Sequence, residues 1–363
     1  MKMKMIIDTD GVSDDMRAIS LAIQHPDVEA KPGPCRSSLT SSKLRVQKEL
    51  IAITTVHGCV KVEQATANVA RVQRANLLKK LIPVYMGASE ALIRKPFVMN
   101  PFFGIDGVGD RPDLFPEVSP KDFTMHEAES AALALIRLTT EHDGVTLVCI
   151  GPLTNVALAY KIDKNFAKRL RKLVILGGNY FGVGNMSEFS SAEFNFGADP
   201  EAAKIVMEEM NTPITMVPWE NAYLNGAQHE ELVDFQAHLK LDTPLASFLS
   251  LATNIGNGVM SKNGRQYGYC DEIAVAIAIN EKAIAKKTKD LRLGVELSGQ
   301  MTRGQVVVDW CSVMYGRDGS LTDYVAAHPV DRMRSVIHVI VDYNVETLDE
   351  WMHNTVLRKE GPW

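Results

Sequence analysis

Short apolar segments alternate with longer segments of helical periodicity over most of this 363-residue chain. A strand followed by a helix, repeated several times, is typical of a parallel sheet that helices cover on both faces. The main strand candidates are MKMIID, LIAITTV, VTLVCI, KLVILGG and ITMVPW. The alternation therefore predicts an α/β fold with an open, mostly parallel sheet flanked by helices, and the length permits a single domain over residues 1–363.

The C-terminal third adds a smaller set of strands and helices. A long helical region is expected at about 228–260, and a further helix is expected to begin at Asp271. The later candidates are the strands LGVELS, GQVVVDW and VIHVIVDYN and the final helix ETLDEWMHNTVL. We expect these segments to extend the same domain.

Residues 30–49 interrupt this pattern between the first helix and the second strand. The segment AKPGPCRSSLTSSKLRVQKE has five basic residues and one acidic residue, together with proline, glycine and serine. Unstructured connections longer than about 12–15 residues are uncommon within compact domains. The composition favours a flexible basic insertion over a functional lid, and both interpretations remain open at this point.

Polar motifs follow the strand candidates, and the most acidic of them is DTDGVSDD at residues 8–15. Ligands of parallel α/β sheets bind beyond the carboxyl ends of the strands, so these motifs predict one composite site. Strand alternation places Asp8 and Asp10 on the same side. Asp14 and Asp15 fall in the first turn of the next helix, whose dipole offsets part of their charge. Four carboxylates so close together favour a bound cation, and oxygen ligands suit Ca²⁺ or Mg²⁺.

Composition limits the partners of such a site. The formal net charge is −5, so nothing indicates a nucleic acid or an anionic membrane as partner. No apolar stretch has the length needed to span a bilayer. The five cysteines are scattered without CxxC spacing, and no signal-peptide core follows the N-terminus. These features predict reduced thiols and a cytoplasmic protein.

An ordered series of motifs resembles the nucleoside hydrolase family. The acidic segment DTDGVSDD is similar to the family signature DTDPGxDD. The likeness continues in chain order through LIAITTVHG, FGIDGVGD, GPLTNVALA, LGGN, AEFNFGADPEAAKIV, CDEIAVA and VELSGQMTRGQVVVDW. The resemblance implies a Rossmann-like sheet, a tightly bound Ca²⁺ and hydrolysis of the N-glycosidic bond of ribonucleosides. It also implies homodimers or homotetramers.

The matching motifs carry the family's site residues over to this chain. The implied calcium ligands are the side chains of Asp10, Asp15 and Asp271 and the backbone carbonyl of Ile150. Asp10 would also be the general base that activates the metal-bound water. The implied ribose-binding residues are Asp14, Asn185, Glu193 and Asn195, with Asp8 as a supporting carboxylate.

The residues expected around the leaving base depart from the family pattern. Cys270 stands just before the last metal aspartate, where family members carry His or Trp, and Phe103 replaces another His. The candidates for a base pocket are Phe103, Trp219, Tyr269 and Cys270, and a role near the site is also open for Tyr267, Glu220 and His57. A purine can leave after protonation of its imidazole ring, whereas uracil depends more on a positioned acid. The substitutions therefore favour purine nucleosides.

Two other functions remain open. The altered base-side residues are compatible with a catalytically weak protein that only binds ribose or a nucleoside. The segment DTDGV also fits the strand-end motif of haloacid-dehalogenase-type phosphatases, with Asp8 as nucleophile and Asp10 as acid/base. That class gives no reason for AEFN or CDEIAVA, so it is the weaker alternative.

Overall fold

Ten strands join into one hydrogen-bonded sheet in the computed structural model, which describes residues 3–29, 48–93, 100–123, 129–186, 188, 190–310 and 336–357. The first five strands are Met3–Thr9 (β1), Val28–Glu29 (β2), Lys48–Thr55 (β3), Val84–Met86 (β4) and Val145–Cys149 (β5). The other five are Leu170–Leu176 (β6), Ile214–Val217 (β7), Ala285–Val295 (β8), Val306–Val308 (β9) and Val336–Tyr343 (β10).

Helices connect most of these strands. In the first half of the chain they are Ser13–Gln24 (α1), Val62–Ala75 (α2), Pro120–Phe123 (α3), Ala131–Glu141 (α4), Thr154–Ile162 (α5) and Phe166–Arg169 (α6). They continue with Phe194–Ala198 (α7), Pro200–Lys204 (α8), Gly226–His229 (α9), Pro244–Ala252 (α10), Asn254–Lys262 (α11), Asp271–Ile284 (α12) and Val345–Leu357 (α13). Short 3₁₀ segments lie at Pro101–Phe103, Pro112–Leu114 and Ala237–Lys240, and π-helical turns at Ile205–Glu209 and Asn221–Asn225.

The sheet order confirms the predicted α/β class. It runs β2-β3-β1-β5-β6-β7-β10-β8-β9, and β4 also pairs with β3. The strands are parallel except that β8 runs antiparallel to both β10 and β9. β1 pairs in parallel with β3 on one side and β5 on the other, so the strand order reverses beside β1. A reversal of this kind leaves a crevice at the carboxyl ends of the strands, where the acidic motif lies.

Side chains of β1 alternate between two hydrophobic cores. Met5 and Ile7 belong to the cluster formed with α1, α2 and α12, whereas Ile6 belongs to the cluster formed with α4 and α5. All three side chains are fully buried. Burial of an apolar side chain of this size contributes about 1.5–3 kcal/mol. Helices on both faces therefore enclose the sheet, and the strand ends remain open to a ligand.

The region 228–260 is not one helix, which corrects the sequence-based expectation. It is divided into α9, a 3₁₀ turn, α10 and α11. The hydroxyl of Thr243 accepts a hydrogen bond from the backbone N–H of Ala246, and Pro244 occupies the first position of α10. Because proline cannot extend a preceding helix but suits a first turn, α10 has to begin anew there.

Two strand boundaries also differ from the prediction. β8 begins at Ala285 rather than near residue 293, and its lysine-rich first half is largely exposed. β10 pairs with this first half, whereas β9 pairs only with the end of the strand. Lys48 and Glu49 were assigned to the insertion but lie in β3, where they pair with β1 and β2. Residues 30–47 lie outside the described residues, so the insertion remains a prediction.

Within the described ranges, no helix is both long and apolar enough to cross a membrane.

Candidate active site

A cavity of about 520 Å³ opens where the central strands end. This volume is within the range of about 300–1,000 Å³ that is typical of small-molecule sites. Its walls come from the segments after β1, β3, β5, β6 and β7 and from the start of α12. The sequence-predicted residues that line it are Asp10, Asp14, Asp15, Phe103, Ile150, Asn185, Glu193, Asn195, Trp219, Cys270 and Asp271.

Asp10 and Asp15 are held by backbone donors from the loop after β3 and from the start of α1. The Oδ2 atom of Asp10 accepts a hydrogen bond from the backbone N–H of Cys59 at 2.7 Å. Oδ2 of Asp15 accepts from the backbone N–H of Val12 at 3.0 Å, and its Oδ1 accepts from the hydroxyl of Thr9. Both carboxylates are therefore fixed by the protein itself.

Asp14 lies beside the start of α12. Its carboxylate, the thiol of Cys270 and the carboxylate of Asp271 place ligand atoms within 4.8 Å of one another. All three side chains are buried, and the Oδ1 atom of Asp14 has no hydrogen-bond partner. A buried carboxylate oxygen without a donor is costly, so this oxygen is suited to receive a ligand.

Burial raises the pKa of the carboxyl groups in this acidic cluster. It raises the pKa of Asp10 to about 6, and the charge of Asp14 adds to the effect. Burial also raises the pKa of Asp15 and of Asp271, with further contributions from neighbouring aspartates. For Asp14, burial raises the pKa while the guanidinium of Arg17 acts in the opposite direction. Ionising these groups together requires compensating positive charge.

Glu193 caps the short helix α7 and is held by three backbone donors. Its Oε1 accepts from the N–H of Asn195 at 2.9 Å, and its Oε2 accepts from Gly178 at 2.7 Å and Phe196 at 3.2 Å. Burial raises the pKa of Glu193 to about 7. The carboxylate is thus oriented toward the cavity before a ligand binds.

Two asparagines complete this wall of the cavity. The Nδ2 atom of Asn195 donates to the carbonyl of Leu176 at 3.2 Å and to that of Ile150 at 3.4 Å. Asn185 is exposed, and its backbone N–H donates to the carbonyl of Ala192 at 3.0 Å. The cavity therefore combines an acidic cluster with neighbouring polar groups suited to hydroxyls.

A family model described as inosine-uridine preferring nucleoside hydrolase matches residues 36–349. The chain belongs to this family. The matched region contains Ile150, Glu193, Asn195 and Asp271, whereas the acidic segment 8–15 precedes it. The roles of Asp10, Asp14 and Asp15 therefore depend on the geometry of the cavity.

Relatives within the nucleoside hydrolase family differ in the bases that their names include. Uridine nucleosidase 1 of Arabidopsis thaliana is 37% identical over 211 residues, which cover 56% of this chain and 52% of the relative. The inosine-uridine preferring nucleoside hydrolase of Crithidia fasciculata is 30% identical over 320 residues, which cover 85% of this chain and 89% of the relative. The solved structure of an inosine-guanosine nucleoside hydrolase is 26% identical in sequence, with a TM-score of 0.77. The match covers 97% of this chain and 98% of that structure. The chain spans about half the length of the plant uridine nucleosidases that it matches.

The donors of the site fit the calcium ion that the resemblance to nucleoside hydrolases implies. Asp10, Asp15 and Asp271 are buried carboxylates that line one cavity together with Ile150. Oxygen donors are the preferred ligands of Ca²⁺, and a divalent charge would offset their mutual repulsion. Of these predicted ligands, only Asp271 belongs to the close group with Asp14 and Cys270. Cys270 adds a soft sulfur atom to an otherwise hard donor set.

Tyr269 does not line the cavity, which corrects its assignment to the base pocket. Its side chain is fully buried, and its ring packs edge-on against Phe235 with centroids 4.9 Å apart. Its hydroxyl donates to Asp349 of α13 at 2.6 Å. The ring is therefore held in the core between helices. Phe103, Trp219 and Cys270 do line the cavity.

Asp8 lies behind the cavity rather than in its wall. Its Oδ1 accepts from the hydroxyl of Thr54 and from Nδ2 of Asn155 at 2.8 Å, and the residue is fully buried. This position suits a supporting carboxylate. It does not suit the nucleophile that the phosphatase alternative requires.

His57 and Glu220 are also absent from the cavity lining. The Nε2 atom of His57 lies 3.0 Å from the hydroxyl of Thr154. The carboxylate of Glu220 accepts hydrogen bonds from the backbone N–H groups of Tyr180 and Phe181. Both side chains therefore hold loops near the site.

Tyr267, which was an open candidate, does line the cavity, and sequence reasoning missed several of its neighbours. The ring of Phe102 packs edge-on against Tyr267 with centroids 5.2 Å apart. Other lining residues without a prior assignment are Asn100, Tyr223, Glu230, Arg265 and Gln266. The paired aromatics before GIDGVG were the available signal for Phe102.

Proposed function

We propose that the protein hydrolyses the N-glycosidic bond of ribonucleosides to release free base and ribose. One observation carries the proposal: four buried aspartates share a cavity with Glu193 and Asn195. Such a cavity can hold a cation on its acidic side and a sugar diol against it. Membership in the nucleoside hydrolase family supports the same reaction class.

The proposed metal is Ca²⁺, bound by the carboxylates of Asp10, Asp15 and Asp271 and the carbonyl of Ile150. When bound, the ion would lower the pKa of a coordinated water and orient the ribose diol. The protein's part is to keep these donors together in a buried cluster despite their repulsion.

Asp10 is the proposed general base. The backbone N–H of Cys59 holds its carboxylate in place, and that carboxylate would accept a proton from the attacking water. Cleavage of a glycosidic bond passes through an oxocarbenium-like transition state. Carboxylates of the cavity would stabilise that positive charge, so no covalent intermediate is needed.

Four residues are proposed to bind the ribose. The unpartnered Oδ1 of Asp14 is available to accept a hydrogen bond from the 2′-hydroxyl. Glu193 and Asn195 are already oriented by backbone partners, and Asn185 is an exposed donor at the rim. Holding the sugar in one orientation converts an encounter with water into a positioned attack. Asp8 would support the cluster from behind.

Purine nucleosides are the proposed preferred substrates. Phe103 and Trp219 line the cavity and offer aromatic surface for a base. By the resemblance to the family, Cys270 stands where His or Trp would be expected. Burial raises the pKa of the Cys270 thiol well above its ordinary value, so the thiol is a poor acid for a pyrimidine. The relatives' names include uridine, inosine and guanosine, so the preference is inferred from these residues alone. A homodimer or homotetramer and a cytoplasmic location remain predictions from the sequence.

A ribose-release assay over a panel of nucleosides tests the reaction. The protein should release reducing sugar from inosine, lose activity with a chelator and regain it with Ca²⁺. Calorimetry with the same nucleosides distinguishes a hydrolase from a protein that only binds ribose or a nucleoside. Such a binding protein would give heat of binding without ribose release.

A further inference from the structure

Arg17 is a fully buried cation on α1, two positions after the site residue Asp15. Its Nε lies 2.6 Å from Oε1 of Glu272, whose side chain is also fully buried. Such a pair gains little stability over apolar residues of similar size, because both charges lose their hydration. The presence of this pair beside the site therefore calls for a role other than stability.

The same guanidinium binds the segment that leads into α12. Nη2 donates to the carbonyl of Gly268 at 2.9 Å, and Nη1 donates to that of Tyr267 at 3.5 Å. The central guanidinium carbon lies 4.4 Å from the centroid of the Tyr267 ring. The planar fork of arginine allows these contacts together, whereas the single ammonium of lysine would not.

Glu272 completes the connection on the other side. Its Oε2 accepts a hydrogen bond from the backbone N–H of Cys270 at 2.9 Å. The N-cap residue of α12, Cys270, provides no side-chain cap of its own. Glu272 therefore fixes the first turn of α12, which carries Asp271, while it is paired with a cation on α1.

We infer that the Arg17–Glu272 pair positions the two halves of the acidic cluster relative to each other. α1 supplies Asp14 and Asp15, and the start of α12 supplies Cys270 and Asp271. Like charges on two neighbouring helices repel, and a buried ionic link between the same helices opposes their separation. Arg17 is thus a positioning residue. Its catalytic consequence rests on the proposed function, whereas the geometric link does not.

The double variant R17M/E272M tests this role, because removal of both charges leaves no unpaired buried ion. In its crystal structure, the ligand atoms of Asp14, Cys270 and Asp271 should no longer lie within 4.8 Å of one another, as they do in the wild type. Calcium binding measured by calorimetry should weaken by about 10- to 100-fold, as for other groups that orient metal ligands. The R17K variant keeps the charge but loses the planar fork of donors. Its calcium affinity should therefore lie between those of the wild type and the double variant.

A matched control is available in the pair formed by Arg303 and Glu201. Their Nη2 and Oε1 atoms are 2.6 Å apart, and the side chains are 18% and 17% exposed. Neither residue lines the cavity. The calcium affinity of the R303M/E201M variant should be within about twofold of that of the wild type, since this pair affects only the stability of the fold.

A folded R17M/E272M protein with an unchanged carboxylate cluster and wild-type calcium affinity would overturn the inference. If the double variant does not fold, wild-type calcium affinity in folded R17K would overturn it equally. If the wild type bound calcium but released no ribose, the proposed function would fail while the binding and crystallographic results would still decide the role of Arg17. If the wild type bound no calcium, the crystal structures alone would decide it.

Discussion

Gly58 lies so close to Asp10 that a Cβ atom there would be 2.1 Å from Oδ2 and 2.5 Å from Cβ of the aspartate. The next residue, Cys59, donates its backbone N–H to that same Oδ2. The backbone at residues 58 and 59 therefore packs against the proposed general base, Asp10, and holds it in place. A side chain at position 58 has to displace Asp10.

The G58A variant should accordingly lose most activity while it remains folded. Displacement of a catalytic group by about 1 Å can cost about 100-fold in rate, so kcat/KM for ribose release should fall by that order. The control is G258A in α11, where a Cβ would have no heavy atom within 4 Å. The control should keep full activity and gain up to about 1 kcal/mol of helix stability. Wild-type kcat/KM in G58A would show that Asp10 is not placed by this contact.

Substitution of Asp10 by alanine should abolish ribose release. A general base alone contributes about 10²- to 10⁴-fold, and the variant also loses a proposed calcium ligand. Thermal unfolding in calcium-free buffer should show a Tm close to that of the wild type, because removal of one buried charge relieves repulsion from its neighbours.

The matched control for Asp10 is D113A, since Asp113 has an exposed side chain paired with Arg111 at the surface. This variant should retain wild-type activity and calcium affinity. Turnover by D10A at the rate of D113A would remove Asp10 from the mechanism.

The kcat/KM for inosine should exceed that for uridine by at least about tenfold, if the contribution of an acid that protonates the leaving pyrimidine is missing. The ratio of kcat/KM for the two nucleosides measures this discrimination directly. The C270H variant should raise kcat/KM for uridine more than for inosine, because it introduces an acid at the base side of the cavity. C270S, which has no comparable acid, is the control. Equal rates for the two nucleosides in the wild type would place the acid elsewhere.

A pH-dependent contribution to stability is expected from His338 in β10. Its Nδ1 lies 2.7 Å from Oδ1 of Asp290 and its Nε2 lies 3.3 Å from Oε1 of Glu281, which also pairs with Lys172. The close contact with Glu281 is the main cause that raises the pKa of His338. The same contact is the main cause that lowers the pKa of Glu281 to about 2.

The signs of these two shifts define the pH window. The His338 contribution is complete below its unfolded pKa of about 6.5 and is lost as pH rises through the higher folded pKa. The Glu281 contribution is complete above its unfolded pKa of about 4.3 and is lost as pH falls toward the folded value. H338Q should therefore destabilise the protein more at pH 5.5 than at pH 9, by about 1 kcal/mol or less because the groups are partly exposed. Urea unfolding at both pH values measures the difference, which 1 M salt should reduce. An H338Q effect of the same size at both pH values would contradict the assignment.

Deletion of residues 30–49 should leave a folded, calcium-binding protein. Val28 and Glu29 lie beside Lys48 and Glu49 in parallel register. If Glu29 is joined to Leu50, Val28 and Glu29 can replace those two residues as the first part of β3, paired with Met3 and Lys4 of β1. Circular dichroism and calorimetry check the result. Aggregation, or a folded protein without ribose release, would show that the segment is a necessary interface or lid.

The order of strands and helices and the position of the acidic site could be predicted from the sequence alone. Apolar runs and helical periodicity are local properties, so β1, β3, β5, β6 and β7 were recognisable in the chain itself. Parallel strands share one carboxyl edge, so motifs after them had to converge. The placement of Asp10, Asp14 and Asp15 at this edge follows from these two facts. Asp271 follows no strand, so only the family resemblance brought it to the same site, and the resemblance also supplied the proposed roles of all four.

Only the tertiary structure decided whether each remaining side chain lines the cavity or lies in the core. Tyr267 and Tyr269 are two positions apart, yet one lines the cavity and the other is held in the core by Phe235 and Asp349. Arg17 directly follows the acidic motif, and no feature of the sequence marked its side chain as fully buried against Glu272. The physical reason is that burial and pairing depend on the opposing surface, and residues 255 positions away in the chain supply that surface for Arg17.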